Sequence, residues 1–389
     1  MASIRLLAGK DRRIRAGHLW IFDGEIENVE AEPGEDIAEV VSSKGTYLGK
    51  AMLCGSSALR ARLLTRGRQD IGEEFFAKAL VSCLSHREKV AQGATSYRLV
   101  NSEGDMLPGL IVDVYADAFV LQATTSGMDR RKGMLAGLVA NLLGTRKAYE
   151  RSDMPVRRYE GLEPSAGFLM DEFDTKVRID ENGVKMDIDI AAGQKTGYYL
   201  DQRENRLASA AYAPGADVLD AFCYNGSFGL LAGIRGAKSL HFLDMSEQAV
   251  EQARANAVIN GLEKISRFTA ANAFDELNRL VKEGASYDLV LLDPPPFTRN
   301  KEAIEGALRG YKEINLRGIK LTRPGGYLVS SSCSQHISSE LFREVIAMAA
   351  ADAGRHLQLV EARSQARDHT VLLSMTETEY LKCMIFRVL

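Results

Sequence analysis

Cysteine is scarce in this chain of 389 residues: Cys54, Cys83, Cys223, Cys333 and Cys383 stand far apart, and no two form a C-x-x-C pair. That spacing supports neither a disulfide framework nor a zinc site, so reduced thiols and no metal are expected. Proline is sparse too, 9 residues against 34 glycines, and with 46% hydrophobic and 26% charged residues the composition excludes a fibrous or disordered class. No apolar run is long enough to cross a bilayer, and the apolar part of the opening MASIRLLAGKDRRIRAG is too short and too charged for a signal peptide. A cytoplasmic protein without membrane contact is the expectation. Charge of one sign is also lacking: the net charge of −3 and a pI near 6.2 exclude bulk attraction to nucleic acid and leave only a local basic patch for that purpose.

What is present reads as three segments, since the length exceeds what one hydrophobic core organises. Residues 1–72 alternate short apolar runs (19–22, 38–41, 47–52, 61–64) with turn signals, the pattern of a small β-rich barrel. They carry two basic clusters, Lys10, Arg12, Arg13 and Arg15, then Arg60, Arg62, Arg66 and Arg68, with Trp20 and Phe22 nearby. Clustering favours contact with RNA phosphates, whereas the acids Glu25, Glu27, Glu30 and Glu32 favour an ordinary solvated rim. Residues 73–185 open with a helix over 73–91 and continue with strand-like runs at 110–114, 118–123 and 176–179 and a helix over 132–143, a small α+β module. A hairpin through Glu181-Asn182-Gly183, joining 176–179 to 185–190, leads to residues 186–389. From residue 217 onward strands (218–221, 239–243, 288–292, 327–331) alternate with helices, of which the one at 247–260 has its cap in Ser246 and its stop in Gly261. This rhythm predicts a parallel, doubly wound sheet with helices on both faces.

Chemistry gathers at the carboxyl ends of those strands. DAFCYNGSFG, residues 220–229, places Asp220 and Gly226 in a strand-to-helix turn where backbone N–H groups and a carboxylate can meet a ligand. Asp244 ends the second strand, where an acid can accept hydrogen bonds from both hydroxyls of a ribose. A complete G-x-G-x-x-G is missing, so an adenosine ligand without pyrophosphate is favoured over a dinucleotide, and S-adenosylmethionine fits. Asn272, Ala273 and Phe274 follow the third strand, where an amide can reach an adenine edge and a ring can cover its face. After the fourth strand, Asp293-Pro294-Pro295-Pro296-Phe297 forms a rigid loop. There Asp293 can take the polar hydrogens of a nucleobase and Phe297 can stack on it. The fifth strand delivers Cys333 to the same edge, and a thiolate there can add to carbon 6 of cytosine, which carbon 5 requires before it can accept a methyl group. The other four cysteines read as packing.

These motifs resemble the ribosomal RNA large-subunit methyltransferase I family, 5-methylcytosine enzymes with an N-terminal PUA domain. GHLWIFDGEI (17–26) is similar to the opening of the PUA domain, RLVNSEGDMLPGLIVDVYAD (98–117) to the central module and QKTGYYLDQR (194–203) to the entry of the catalytic domain. The resemblance spans nearly the whole chain. It implies an N-terminal β-rich PUA barrel, a central α+β module and a C-terminal α/β, doubly wound, Rossmann-like class I methyltransferase domain. It also implies cofactor roles for Gln194, Lys195, Thr196 and Gly197, a nucleophile at Cys333 and a base-gripping acid at Asp293. Asn272 departs from the pattern, since relatives often carry Asp near the adenine. Ribosomal RNA is the partner expected, and a homodimer is left open.

Three rivals remain. An amino-group or guanine methyltransferase needs only the Asp-Pro-Pro-Pro-Phe loop and leaves Cys333 idle. An inactive RNA-binding protein predicts damaged cofactor residues, yet Asp220, Gly226 and Asp244 are intact. A nicotinamide dehydrogenase would share the sheet but lacks the glycine fingerprint.

Overall fold

The computed structural model describes residues 2–55, 58–298 and 303–389. They fall into two compact units. The first holds the chain up to Ile179 together with Ile188–Leu200 and Arg367–Thr378, and the second holds Asp180–Asp187, Asp201–Ala366 and Glu379–Leu389. The β-rich segment and the central module expected as separate domains therefore share one compact unit. The segment 188–200, expected to open the catalytic domain, counts with it as well.

In the first unit, among the described residues, β1 (Ala2–Leu6), β2 (Trp20–Phe22), β3 (Ile26–Glu30), β4 (Ile37–Val41), β5 (Tyr47–Leu53) and β6 (Leu59–Thr65) form one sheet in the order β2-β6-β5-β4-β1-β3. The short helix α1 (Arg12–Arg15) lies between β1 and β2. β4 alternates buried and less buried residues, and β6 does so from Arg60 to Leu63, which turns Ala38, Val40, Ala61 and Leu63 onto a common core with Ile4, Leu6 and Ile21. A second sheet runs β11-β10-β9-β8-β7, built from β7 (Ser96–Asn101), β8 (Leu110–Tyr115), β9 (Ala118–Ala123), β10 (Ala148–Ser152) and β11 (Ser165–Phe168). Helices α2 (Glu73–Val90) and α3 (Ser126–Leu143) contribute Phe76, Leu80, Leu135 and Val139 to its core. Two buried ion pairs brace this part: both guanidinium ends of Arg87 hold Asp105 at 2.8 and 2.5 Å, and Arg98 holds Asp113 at 2.8 and 2.9 Å.

The hairpin of β12 (Lys176–Glu181) and β13 (Val184–Asp189) turns where expected, at Asn182 and Gly183, with φ of 55° and 91°. Such values belong to the turn whose twist matches a β-ribbon.

The second unit contains β14 (Asp217–Ala221), β15 (Ser239–Asp244), β16 (Ser266–Ala270), β17 (Tyr287–Leu292), β18 (Thr322–Ser332), β19 (Leu357–Arg363) and β20 (Lys382–Val388). Among the described residues they form one sheet in the order β16-β15-β14-β17-β18-β20-β19. The strands from β16 to β18 are parallel as expected. The chain then departs from the wholly parallel reading, because β20 runs antiparallel between β18 and β19. Helices α4 (Arg203–Ala210), α5 (Ser227–Ile234), α6 (Glu247–Ile259), α7 (Ala273–Lys282), α8 (Ile304–Leu321) and α9 (Ser339–Ala353) accompany the sheet. β17 reads LVLL through its centre and is buried along it, as a strand covered on both faces must be. Its Val290 and Leu292 share a core with Tyr311, Ile314 and Ile319 of α8 and Phe342 of α9. Each such side chain contributes about 1.5–3 kcal/mol of burial.

Candidate active site

Parallel register brings the chemistry to one edge. Ala221 of β14 pairs with Leu243 of β15 and Leu292 of β17, while Leu292 also pairs with Ser330 of β18. Asp244, Asp293 and Cys333 therefore leave their strands at the same side of the sheet, the side where ligands bind in open α/β folds. The antiparallel pairing of Ser332 with Lys382 adds the start of β20 to that edge.

The turn from β14 into α5 is tight and strained. Phe222 and Tyr224 have φ of 65° and 50°, values that cost free energy outside glycine. Neighbouring groups hold them: the Tyr224 N–H donates to Asp244 Oδ2 at 3.0 Å and the Cys223 N–H to the Leu243 carbonyl at 3.0 Å. Gly226 caps α5 at φ +86°, and a Cβ there would approach Ala253 Cβ to 3.0 Å, so this position admits only glycine without rearrangement. Asp244 Oδ1 accepts the Ser246 N–H at 3.0 Å. Each of its oxygens keeps a further lone pair for a hydroxyl donor.

Asp220 is buried beneath the turn, where its Oδ2 accepts the Gly229 N–H at 2.8 Å. Burial pushes its carboxyl up to about 7, and the negative charges of Asp293 and Asp244 push in the same direction against the Gly229 hydrogen bond. Asp220 thus fixes the loop from below the turn. Beside it the buried Asn225 amide oxygen has no hydrogen-bond partner among the described residues. Clustered carboxylates and an orphan acceptor suit a cationic ligand with N–H donors, as the sulfonium and ammonium of S-adenosylmethionine are.

Asn272 is exposed, and its Oδ1 caps α7 by accepting the Phe274 N–H at 2.9 Å, which leaves the amide N–H groups for an adenine edge. Ala273 is buried and Phe274 half-buried. The free stacking face expected of Phe297 is taken up by protein: its ring lies 4.6 Å from Tyr311 and 5.7 Å from Phe274, and it covers Gly310. Near Asp244 the sequence reading overlooked Met245, a large apolar side chain that is 75% exposed at the strand end.

Asp293 is held by a side chain that sequence reasoning missed. Gln202 Nε2 donates to Asp293 Oδ1 at 2.9 Å, Asn205 Nδ2 donates to Gln202 Oε1 at 2.7 Å, and Arg363 Nε donates to Asn205 Oδ1 at 3.0 Å. The relay fixes which Gln202 atom faces the carboxylate. Cys333 is half-buried, whereas Cys223 and Cys383 of this unit are buried and their thiols are pushed up by desolvation, Cys383 to about 12. In the first unit burial likewise raises Cys54 and Cys83 to about 12. On either side of Cys333, Ser332 Oγ donates to the Tyr311 hydroxyl at 2.9 Å and Ser334 Oγ lies 3.0 Å from it.

Residues 194–197 belong to the first unit. Gln194 and Lys195 are exposed, but Thr196 is buried and donates to Asp113 Oδ2 at 2.6 Å, with the Tyr115 hydroxyl 2.7 Å from its Oγ1. Gly197 has a φ of +128° and packs against Ile190. Of the basic residues expected to meet RNA, Lys10 and Arg12 are exposed and carry no ion pair among the described residues. Arg13 is held by Glu25 at 3.2 and 3.1 Å and by the Trp20 carbonyl at 3.1 Å. Arg15 pairs with Asp11 at 2.7 Å.

Residues 154–386 match the family described as S-adenosylmethionine-dependent methyltransferase, and residues 4–66 match a PUA-like domain. Ribosomal RNA large subunit methyltransferase I of Shewanella denitrificans is 39% identical over 99% of both chains, and that of Aeromonas hydrophila is likewise 39% identical over 99% of both. The chain belongs to the ribosomal RNA large subunit methyltransferase I family. Its cofactor is S-adenosylmethionine, and the dehydrogenase reading falls away. Solved structures share the fold of this methyltransferase. One described as a SAM-dependent methyltransferase from Streptococcus mutans has a TM-score of 0.84 at 19% identity, and another, a methyltransferase complexed with SAH, 0.86 at 20%, each over 100% of both chains. No helix among the described residues is long and apolar enough to cross a membrane.

Proposed function

We propose that this methyltransferase converts a cytosine of large-subunit ribosomal RNA to 5-methylcytosine, with Cys333 as nucleophile and Asp293 as the group that holds the base. The observation that carries the reading is the meeting of a half-buried cysteine, an oriented carboxylate and the Asp244 turn at one sheet edge. The names of its relatives support ribosomal RNA as the acceptor.

Asp244 and Asn272 hold the adenosine, Asn225 and the carboxylates receive the cationic end, and S-adenosylmethionine supplies a methyl group on a positively charged sulfur. Asp293, its orientation fixed by Gln202, accepts hydrogen bonds from the N3/N4 edge of the cytosine. The Cys333 thiolate adds its electron pair to carbon 6, and the ring electrons shift so that carbon 5 becomes nucleophilic and would take up the methyl group, the bond from the cofactor sulfur to methyl breaking with its pair left on that sulfur, so that the neutral thioether S-adenosylhomocysteine departs. Loss of the carbon 5 proton to a base then returns an electron pair to the ring, and Cys333 leaves from carbon 6 with its own pair. Lys10 and Arg12 anchor phosphates without reading bases.

Nucleoside mass spectrometry on 23S ribosomal RNA from cells with and without the gene tests this reading. One 5-methylcytosine is expected to disappear and to return on complementation with the wild type but not with Cys333→Ala. Loss of a methylated guanine in its place would make the amino-group rival the better account.

A further inference from the structure

Lys382, the first residue of β20, is 8% exposed. Its ammonium donates to the Ser334 carbonyl at 2.7 Å and to the Tyr380 carbonyl at 2.8 Å. No carboxylate pairs with it among the described residues. A buried ammonium without a countercharge is expensive, and proteins normally pair it or move it to the surface. The strand could have been tied to the loop by a neutral donor. What the position offers instead is a positive charge fixed on the carbonyl of the residue that follows Cys333, opposite Ser332 in the register.

We propose that Lys382 is a positioning residue for the Cys333 chemistry, its clamped ammonium supplying the charge that stabilises the Cys333 thiolate before RNA binds. This rests on the reading of Cys333 as nucleophile. The thiol proton leaves to solvent and the sulfur keeps the electron pair, while Lys382 stays protonated and bound to its two carbonyls. Desolvation pulls the Lys382 ammonium down to about 8, and Cys333 and the exposed Glu379 are the groups that hold it up. Tyr311 faces Cys333 from α8, and burial raises its phenol, so it stays neutral and adds no competing anion. Among the described residues the half-buried Cys333 is thus, with the exposed Glu379, the anionic counterpart of Lys382, and the two charged forms favour each other.

The test is the pH dependence of Cys333 alkylation by iodoacetamide in the full-length protein without RNA, read at the Cys333 peptide by mass spectrometry. The wild-type midpoint is expected below the ordinary thiol value of about 8.5. Lys382→Met should raise it by about one unit or more, leaving roughly tenfold less thiolate at neutral pH, and Lys382→Arg should restore most of the shift. The methylation pH profile of Lys382→Met should move upward by the same amount. Superimposable alkylation curves for the wild type and a folded Lys382→Met overturn the proposal. Should Lys382→Met not fold, the wild type decides alone, and a midpoint at or above that of the urea-unfolded chain overturns it. Failure of the nucleophile reading looks different: Cys333→Ser would then keep its methylation rate whether or not Lys382 moves the alkylation curve.

Discussion

Buried charge is treated in opposite ways in the first unit and at the carboxyl edge of the second. A fully buried ion pair of the second unit, Arg206 with Glu181, joins α4 to β12 and involves none of that edge's strand ends. In the first unit Arg87 and Asp105, and Arg98 and Asp113, neutralise one another through two hydrogen bonds each, and Arg13 and Arg15 do the same at the surface with Glu25 and Asp11. At the carboxyl edge of the second unit, Asp220 and Asp244 gather without a cation in ion-pair reach among the described residues, and Lys382 sits without a carboxylate in such reach. Charge in the first unit is compensated within the fold and braces it. At the sheet edge it is not compensated in this way, which is the arrangement expected where a cationic cofactor is received and, on the proposed reading, where the Cys333 thiolate forms.

Breaking a compensated pair should therefore cost stability and spare chemistry. Asp105→Ala leaves Arg87, 1% exposed, without its partner and should lower the stability of the first unit by about 3–5 kcal/mol in urea titration. A loss below 1 kcal/mol would mean that water reaches the site and that the contrast between the units is overstated. Removing a waiting charge should do the reverse. Asp244→Ala should weaken S-adenosylmethionine binding by on the order of 1.5–3 kcal/mol in calorimetry. Asp244→Asn, which keeps an acceptor for the Tyr224 N–H, separates the pinning of the strained turn from the contact to the ribose. Unchanged binding in both variants contradicts the assignment.

Asp220 sharpens the comparison through pH. Its carboxyl, raised to about 7 by burial, binds its proton more tightly in the folded state than in the unfolded one. The stabilisation is present below the ordinary carboxylate range and is lost as pH rises through about 7. Asp220→Asn keeps an acceptor for Gly229 and has no such titration. Relative to the wild type, the cofactor-free variant should gain stability between pH 5 and pH 8, on the order of 1–3 kcal/mol, while binding S-adenosylmethionine more weakly. A constant difference between variant and wild type across that range would place Asp220 in an ordinary, ionised state. The smallest effect is expected at the N-terminal cluster. Replacing Lys10 and Arg12 by Ala should reduce the salt slope of RNA binding by roughly 1.4–1.8, at roughly 0.7–0.9 per phosphate contact. Replacing Arg13 and Arg15 should change it less, because their charges are already paired. Equal slopes for the two double variants would return all four residues to the phosphate-binding set.

The same contrast explains what could be read from the sequence. Asp244, Asp293 and Cys333 were legible because each directly ends a parallel strand, and strand ends are marked locally by apolar runs. The helix after Ser246 was equally legible: the Ser246 hydroxyl accepts the Ala249 N–H at 3.2 Å and Gly261 turns the chain at φ +69°. β20 went unread because KCMIFRV follows no α-helix directly and its partner β18 lies well back in the chain, and β19, although it follows α9, pairs with β20. With β20 unread, Lys382 was invisible. Gln202 lay inside a motif already singled out, QKTGYYLDQR, but the side chain that reaches Asp293 is 91 residues away in sequence, and local pattern says nothing about such pairs. The pairing of Arg13 with Glu25 and of Arg15 with Asp11 was hidden for the same reason, since a cluster of cations read along the chain does not show where the acids fold back onto it.

The most direct test of the central claim uses RNA with 5-fluorocytosine at the target position, whose carbon 5 cannot release a proton once the methyl group has arrived. Wild-type protein incubated with this RNA and S-adenosylmethionine should form a covalent complex that survives denaturing electrophoresis, with Cys333 as the modified residue on peptide mapping, and Cys333→Ala should form none. A wild-type protein that forms no adduct, together with a Cys333→Ala variant that still methylates unmodified RNA at near wild-type rate, would contradict the account.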